Sequence, residues 1–273
     1  MSYDLLVCDL DGTLIDDTMT LEPALVRAFH RATAGGLRIS LATGRMPAAA
    51  RRYRDQLRIS VPVIYYNGAL IRDPSSGRDL LSLTLPRGVV GAAHGVFAQA
   101  PVDPLFFRED LLYCLATTPP IKSYCEEEGL QAASIPDPDA FFQLGGFIKS
   151  LFIGQPDVLP ALRQRLEGLV GEGTRLLRTR STYLELVPAA ASKGAAVSRL
   201  AAELGVPLER VIVVGDQEND LDMIRIAGLG VAMPHAPAAV KAAAGRVAPT
   251  SAEGGLLALF REVLPEHFAE RSA

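Results

Sequence analysis

Apolar and polar positions alternate along this chain in two distinct rhythms. Leu5-Leu6-Val7-Cys8 is an uninterrupted apolar run, which reads as a short strand covered on both faces. Leu21, Ala24, Leu25, Ala28, Phe29 and Ala32 then recur at i, i+3, i+4 spacing, which predicts an amphipathic helix. Pro23 suits its first turn and Gly35-Gly36 its end. Residues 37–42 read as a second strand, a helix begins near Pro47, and residues 61–66 read as a third strand ending in Asn67-Gly68. This β-α-β-α-β alternation predicts an α/β fold with a parallel sheet and right-handed crossovers.

The rhythm breaks near Leu85-Pro86. The next hundred residues contain Pro119-Pro120 and Pro136-Asp137-Pro138. The best strand candidates there are 147–153, 176–179 and 183–187, and Pro156-Asp157 opens a helix through Leu169. Residues 86–187 therefore read as an inserted second domain, bounded by Pro86 and Pro188. The first rhythm resumes at Ser192-Lys193-Gly194 with a helix to Leu204 that Gly205 stops. Residues 211–214 read as a buried strand ending in Gly215-Asp216. A helix through Ile226, a strand over 229–232, helix and weak strand over 236–248, and a helix over 256–264 complete the expectation.

Composition narrows the function classes. The chain has 273 residues, 49% of them hydrophobic, enough for one large domain or a domain with a smaller companion. A net charge of -4, from 27 basic and 31 acidic residues, disfavours nucleic acid as the main partner. No apolar run is long enough to span a bilayer, and Met1-Ser2-Tyr3-Asp4 does not resemble a secretory signal. Cys8, Cys114 and Cys125 have no metal-type spacing, and a reduced cytoplasmic setting is expected. His30, His94, His235 and His267 show no metal-type spacing either.

Candidate chemistry gathers at predicted strand ends. In a strand, residues two apart share a face, so Asp9 and Asp11 project together where the first strand ends, and Gly12 permits a sharp turn. Thr43 follows the second strand, Asp216 and Asp220 follow the strand over 211–214, and Lys193 opens a helix. In open α/β sheets, ligands bind outside such strand ends. Taken one at a time, each has an ordinary structural role. Asp-Gly is a common turn, Thr43 can cap a helix, Lys193 can be a surface cation, and Asn67-Gly68 is most often a turn. Arg51, Arg52, Arg54 and Arg58 read as a solvated helix face.

Together, Asp9-Leu10-Asp11-Gly12-Thr13, Ala42-Thr43-Gly44-Arg45, Ser192-Lys193-Gly194 and Gly215-Asp216-Gln217-Glu218-Asn219-Asp220 resemble the haloacid dehalogenase superfamily, in particular its Cof-type sugar-phosphatase branch. The resemblance implies a Rossmann-like doubly wound core over 1–85 and 188–273, with an inserted α/β cap of the C2 type over 86–187. It implies a phosphomonoesterase acting on a small phosphorylated metabolite, such as a sugar phosphate. Asp9 would be the nucleophile and Asp11 the acid and base. Asp9, the backbone carbonyl of Asp11, and Asp216 would hold Mg2+, with Asp220 orienting Lys193 or metal-bound waters. Thr43 and Lys193 would hold phosphoryl oxygens, and Gly44, Arg45 and Asn219 are further substrate-binding candidates. Where this branch usually carries a Gly-Asn-Ala turn, this chain has Met233-Pro234-His235-Ala236.

Two alternatives remain open at this level. A phosphomutase of the same superfamily would need several phosphate-gripping basic residues in the insert, where Arg163, Arg165, Arg175, Arg178 and Arg180 lie. A noncatalytic metabolite-binding protein on the same fold would not need the intact carboxylates, Thr43 and Lys193. Dehalogenation does not require the second carboxylate at Asp11, and a membrane pump would need spanning segments.

Overall fold

The computed structural model describes residues 2–16 and 18–268. The chain groups into two compact units. The first comprises Met1–Arg45, Ala50–Leu81 and Ser192–Ala273; the second comprises Ser82–Ala191 with Met46–Ala49.

The first unit begins with β1 (Leu5–Cys8), whose four residues are all buried. Helix α1 (Pro23–Ala34) follows, burying Leu25, Val26, Ala28, Phe29 and Ala32 as its apolar stripe demands, with Pro23 in the first turn. Strand β2 (Arg38–Leu41), helix α2 (Pro47–Gln56) and strand β3 (Val63–Tyr65) come next. Strand β3 departs from the sequence expectation. It meets the second strand's continuation only at the parallel bridge Ala42–Ile64, then doubles back into β4 (Leu70–Arg72) and β5 (Asp79–Ser82) as an antiparallel sheet. The reversal is made at Tyr66–Gly68, a tight turn rather than the crossover a parallel strand would need.

The second unit runs through α3 (Val89–Phe97), β6 (Val102–Arg108), β7 (Leu111–Cys114), α4 (Pro119–Glu128), β8 (Ala132–Ser134), α5 (Pro138–Gln143), β9 (Phe147–Gly154), α6 (Leu159–Glu167), β10 (Thr174–Arg180) and β11 (Tyr183–Pro188). Its sheet has the order β10-β11-β9-β6-β7-β8, antiparallel except between β7 and β8. Phe97, Phe106, Phe142, Phe147 and Phe152 fill its core. Lys149 and Glu185 form a buried ion pair across β9 and β11, at 2.9 Å. The unit's entrance and exit meet at Gly173. A Cβ on Gly173 would lie 2.8 Å from the Pro86 ring, and the Gly173 carbonyl accepts the Ala189 N–H at 3.0 Å.

The chain returns to the first unit with α7 (Lys193–Glu203), β12 (Val211–Gly215), α8 (Leu221–Ile226), β13 (Leu229–Ala232), α9 (Ala238–Ala243), β14 (Arg246–Val247), α10 (Gly255–Val263) and α11 (Pro265–Phe268). Five strands form a parallel sheet in the order β14-β13-β12-β1-β2. The run Val211-Ile212-Val213-Val214 is fully buried because helices cover both faces of such a sheet. Strand order reverses between β1 and β12, so the ends of these two strands form the switch point where open α/β sheets bind ligands. Among the described residues, no helix is long and apolar enough to cross a membrane.

Candidate active site

Asp9 and Asp216 leave neighbouring strands at that switch point. The register sets Cys8 opposite Val214, and the Asp9 N–H donates to the Val214 carbonyl at 2.9 Å. Gly12 has φ +77, and a Cβ there would stand 2.4 Å from Asp216 Oδ2, so only glycine lets the two segments approach this closely.

Lys193 arrives from the opposite side of the sequence, in the first turn of α7. Ser192 caps that helix by accepting the Ala195 N–H at 3.1 Å, and its hydroxyl donates to Asp222. The Lys193 side chain is 1% exposed, and Nζ donates to Asp9 Oδ1 at 2.5 Å and to Asp220 Oδ1 at 2.6 Å. Asp220 is fixed in turn, because its Oδ2 accepts the backbone N–H groups of Asp216 at 2.8 Å and Gln217 at 3.0 Å. Asp216 accepts from Gln217 Nε2 at 2.9 Å and from the Thr13 hydroxyl at 3.4 Å.

Asp9, Asp216 and Asp220 each offer a carboxylate oxygen within 4.8 Å of the others, and all three are buried. One ammonium against three carboxylates leaves an uncompensated negative charge away from water. Burial pushes the Asp9 carboxyl well above the usual carboxylate range; Lys193 opposes this, and Asp220 and Asp216 add to it. Burial also raises Asp216, against the Gln217 hydrogen bond. Burial works against the Lys193 ammonium, but Asp220 and Asp9 outweigh it and hold its pKa above that of an ordinary lysine. A hard divalent cation fits this all-oxygen donor set and would relieve the charge imbalance. The Asp11 carboxylate lies outside this group of three.

Asp11 instead faces Arg45. Arg45 Nε donates to Asp11 Oδ2 at 2.8 Å and Nη2 to Asp11 Oδ1 at 2.6 Å, a bidentate pair. The Arg45 side chain is 4% exposed and that of Asp11 41%. Thr43 is fully buried, and its hydroxyl accepts the Arg45 N–H at 3.1 Å, tightening the turn around Gly44. Arg51 and Arg52 are exposed and Arg54 is half-buried on α2, as a solvated helix face requires, whereas Arg58, also read as part of that face, lies beyond the helix end in a turn with φ 55.

Asn67 and Asn219 join the two halves of the site. Asn219 Nδ2 donates to Asn67 Oδ1 at 2.9 Å, and the Asn67 amide packs against Gly44. Sequence reading gave Asn67 only a turn role, since Asn-Gly after a strand is a strong hairpin signal and hides any other role. Thr13 was likewise read only as part of its motif, although its hydroxyl reaches Asp216. His235 stands half-exposed with Nε2 3.5 Å from Asp216 Oδ2. The turn that presents it is pinned by Met233 N–H to the Gly215 carbonyl and Ala236 N–H to the Met233 carbonyl, at 2.9 and 3.0 Å.

The chain has known relatives. A family model for haloacid dehalogenase-like hydrolases matches residues 6–260. YxeH of Bacillus subtilis is 29% identical over 269 residues, covering 96% of this chain and 98% of that one. The 5-amino-6-(5-phospho-D-ribitylamino)uracil phosphatase YitU of Bacillus subtilis is 27% identical over 271 residues, covering 94% and 96%. A haloacid dehalogenase-like hydrolase from Bacteroides thetaiotaomicron superposes with a TM-score of 0.87 at 27% identity, over 96% of this chain and 100% of that one. With a family match across most of its length, the chain belongs to the haloacid dehalogenase superfamily, in its Cof-type phosphatase branch.

Proposed function

We propose that this protein is a magnesium-dependent phosphomonoesterase that hydrolyses a small phosphorylated metabolite, a sugar phosphate or a close relative, through an aspartyl-phosphate on Asp9. The observation that carries this reading is the buried Asp9 carboxylate, bonded to Lys193 at 2.5 Å and grouped with Asp216 and Asp220. Asp9 and Asp216, with the Asp11 backbone carbonyl, would hold the magnesium ion, which when bound offsets repulsion between Asp9 and the incoming phosphate. Asp220 accepts from Lys193 through one oxygen and from two backbone N–H groups through the other, which suits it to orienting Lys193.

An Asp9 oxygen forms a bond to phosphorus as the bond from phosphorus to the substrate oxygen breaks. Asp11 gives that leaving oxygen a proton. Asp11 then takes a proton from water as the water oxygen attacks phosphorus, the Asp9–phosphorus bond breaks and phosphate departs. Lys193 and Thr43 hold phosphoryl oxygens throughout, with Gly44 and Asn219 beside them. The second unit is assigned discrimination among substrates. The sugar-phosphate class draws support from YitU, whose name gives a phosphorylated ribityl compound as its substrate. Free Cys8, Cys114 and Cys125 agree with a cytoplasmic setting.

The mutase alternative is less well supported. Arg163 pairs with Glu167, Arg180 with Glu127, Arg165 bonds Gln99, and Arg175 and Arg178 bond the carbonyls of Ala191 and Ser181, so these five guanidinium groups already have partners in their own unit. The test is release of inorganic phosphate from a panel of phosphorylated metabolites, with and without magnesium. Magnesium-dependent release without added bisphosphate is expected; strict bisphosphate dependence would favour the mutase, and binding without turnover would end the enzymatic reading.

A further inference from the structure

We propose that Asn67 is a positioning residue that holds the Thr43–Arg45 and Asp216–Asp220 segments in mutual register, acting through Asn219. This rests on the phosphatase reading above and adds a residue that none of the four motifs contains.

Three successive residues adopt left-handed backbone at this turn: Tyr66 at φ 51, Asn67 at φ 55 and Gly68 at φ 95. A tyrosine rarely adopts such a conformation, and here the residue is 1% exposed. Strain of this kind persists only where the surroundings over-determine it. The Tyr66 N–H donates to the Arg45 carbonyl at 3.1 Å and the Asn67 N–H to the Thr43 carbonyl at 3.0 Å. A Cβ on Gly68 would fall 2.1 Å from the Ser192 carbonyl oxygen, so this turn lies flush against the residue before Lys193. The Asn67 side chain, on a residue 3% exposed, accepts from Asn219 and packs on Gly44. One three-residue turn thus touches three of the four motif segments.

Phosphoryl transfer has little covalent chemistry for a protein to perform and depends on placing charged groups around a trigonal transition state. A shift of an ångström in the groups that grip phosphate costs rate without unfolding anything. Asn67 is built to prevent such a shift. Its backbone fixes the Thr43 turn and its amide fixes Asn219, so losing the amide uncouples the two.

The test is a double-mutant cycle on Asn67→Gly and Asn219→Ala with nitrophenyl phosphate and magnesium. Glycine accepts the left-handed backbone freely, so Asn67→Gly removes the amide while preserving the turn. Asn219→Ala breaks the same bond from its other end. Each single variant is expected to lower kcat by about 10- to 100-fold with KM within about twofold. Orthovanadate, which binds as a five-coordinate mimic of the transition state, should lose affinity in parallel, while inorganic phosphate should not. The double variant should be no worse than the poorer single one. Additive losses, or wild-type orthovanadate affinity in either single variant, would overturn the assignment. A wild-type enzyme without magnesium-dependent turnover would remove the phosphatase reading and this inference with it, whereas an active wild type with additive losses removes the inference alone.

Discussion

Arg45 grips both carboxylate oxygens of Asp11, at 2.8 and 2.6 Å, from a side chain that is itself almost fully buried. The pair joins the end of the first motif to the end of the second. A planar fork on a half-exposed carboxylate fixes where that carboxylate points, and lysine cannot reproduce it. Arg45→Lys should therefore cost more with an alkyl phosphate, whose leaving oxygen needs a well-placed proton, than with nitrophenyl phosphate. A difference of about tenfold or more in the two losses is expected, and steady-state kcat/KM on both esters measures it. Equal losses would show that Arg45 serves phosphate binding rather than Asp11.

The two motif carboxylates should fail differently. Asp9→Asn abolishes turnover of every ester, because an amide cannot form the acyl-phosphate. Asp11→Asn should slow phosphoenzyme formation on a sugar phosphate by about 10²- to 10⁴-fold and on nitrophenyl phosphate far less. Single-turnover rates at equal magnesium decide between this and a role for Asp11 in positioning alone.

Lys193 compensates two carboxylates at once, Asp9 and Asp220, which are 5% and 0% exposed. Lys193→Met strands both. Breaking a buried ion pair costs about 3–5 kcal/mol, and urea denaturation should register a loss of that size along with loss of activity. Adding magnesium should recover part of the stability, since a cation again faces Asp9. A variant as stable as the wild type without magnesium would contradict the charge balance described for this site.

The same imbalance gives a pH dependence of defined sign. Burial raises Asp9 and Asp216 above the carboxylate values of an unfolded chain. Between the unfolded and folded values the folded state binds more protons, so this contribution to stability is present at low pH and is lost as pH rises through the folded range. The Tm of chelator-treated protein should therefore carry a falling component above about pH 4 that Asp216→Asn diminishes. Protons and the metal compete for the same oxygens, so the Tm increment from magnesium should grow with pH. An increment independent of pH would show that the ion binds elsewhere.

Much of the architecture was readable from periodicity. Residues 211–214 and 229–232 are strands because uninterrupted apolar runs next to a helix have few other places to go, and β12 and β13 occupy them. The insert was harder to read. Strand β6 carries Pro104 in its middle, which argues against a strand, and β8 shows no alternation at only three residues. Strands β4 and β5 were missed because Asn67-Gly68 marked an end where the chain in fact turns back. At the site, residue types and spacing identified Asp9, Asp216, Asp220 and Lys193 as candidates, and they do converge. What the spacing could not reveal was pairing, such as Arg45 with Asp11 or Asn67 with Asn219, since both bonds join segments distant in the chain.

The meeting of Pro86 and Ala189 at Gly173 bears on how this molecule comes to fold. Lys193 and Asp9 are 184 positions apart, and an unstructured chain of that length closes slowly and at an entropic cost. Once the second unit has formed, Pro86 and Ala189 near its two ends both lie against Gly173, and the long closure becomes a shorter one. Strand β1 is made before the insert, and its neighbour β12 only after it. An insert that folds first would shorten the closure that brings β12 beside β1, and formation of the carboxylate cluster would then mark the docking of α7 and β12.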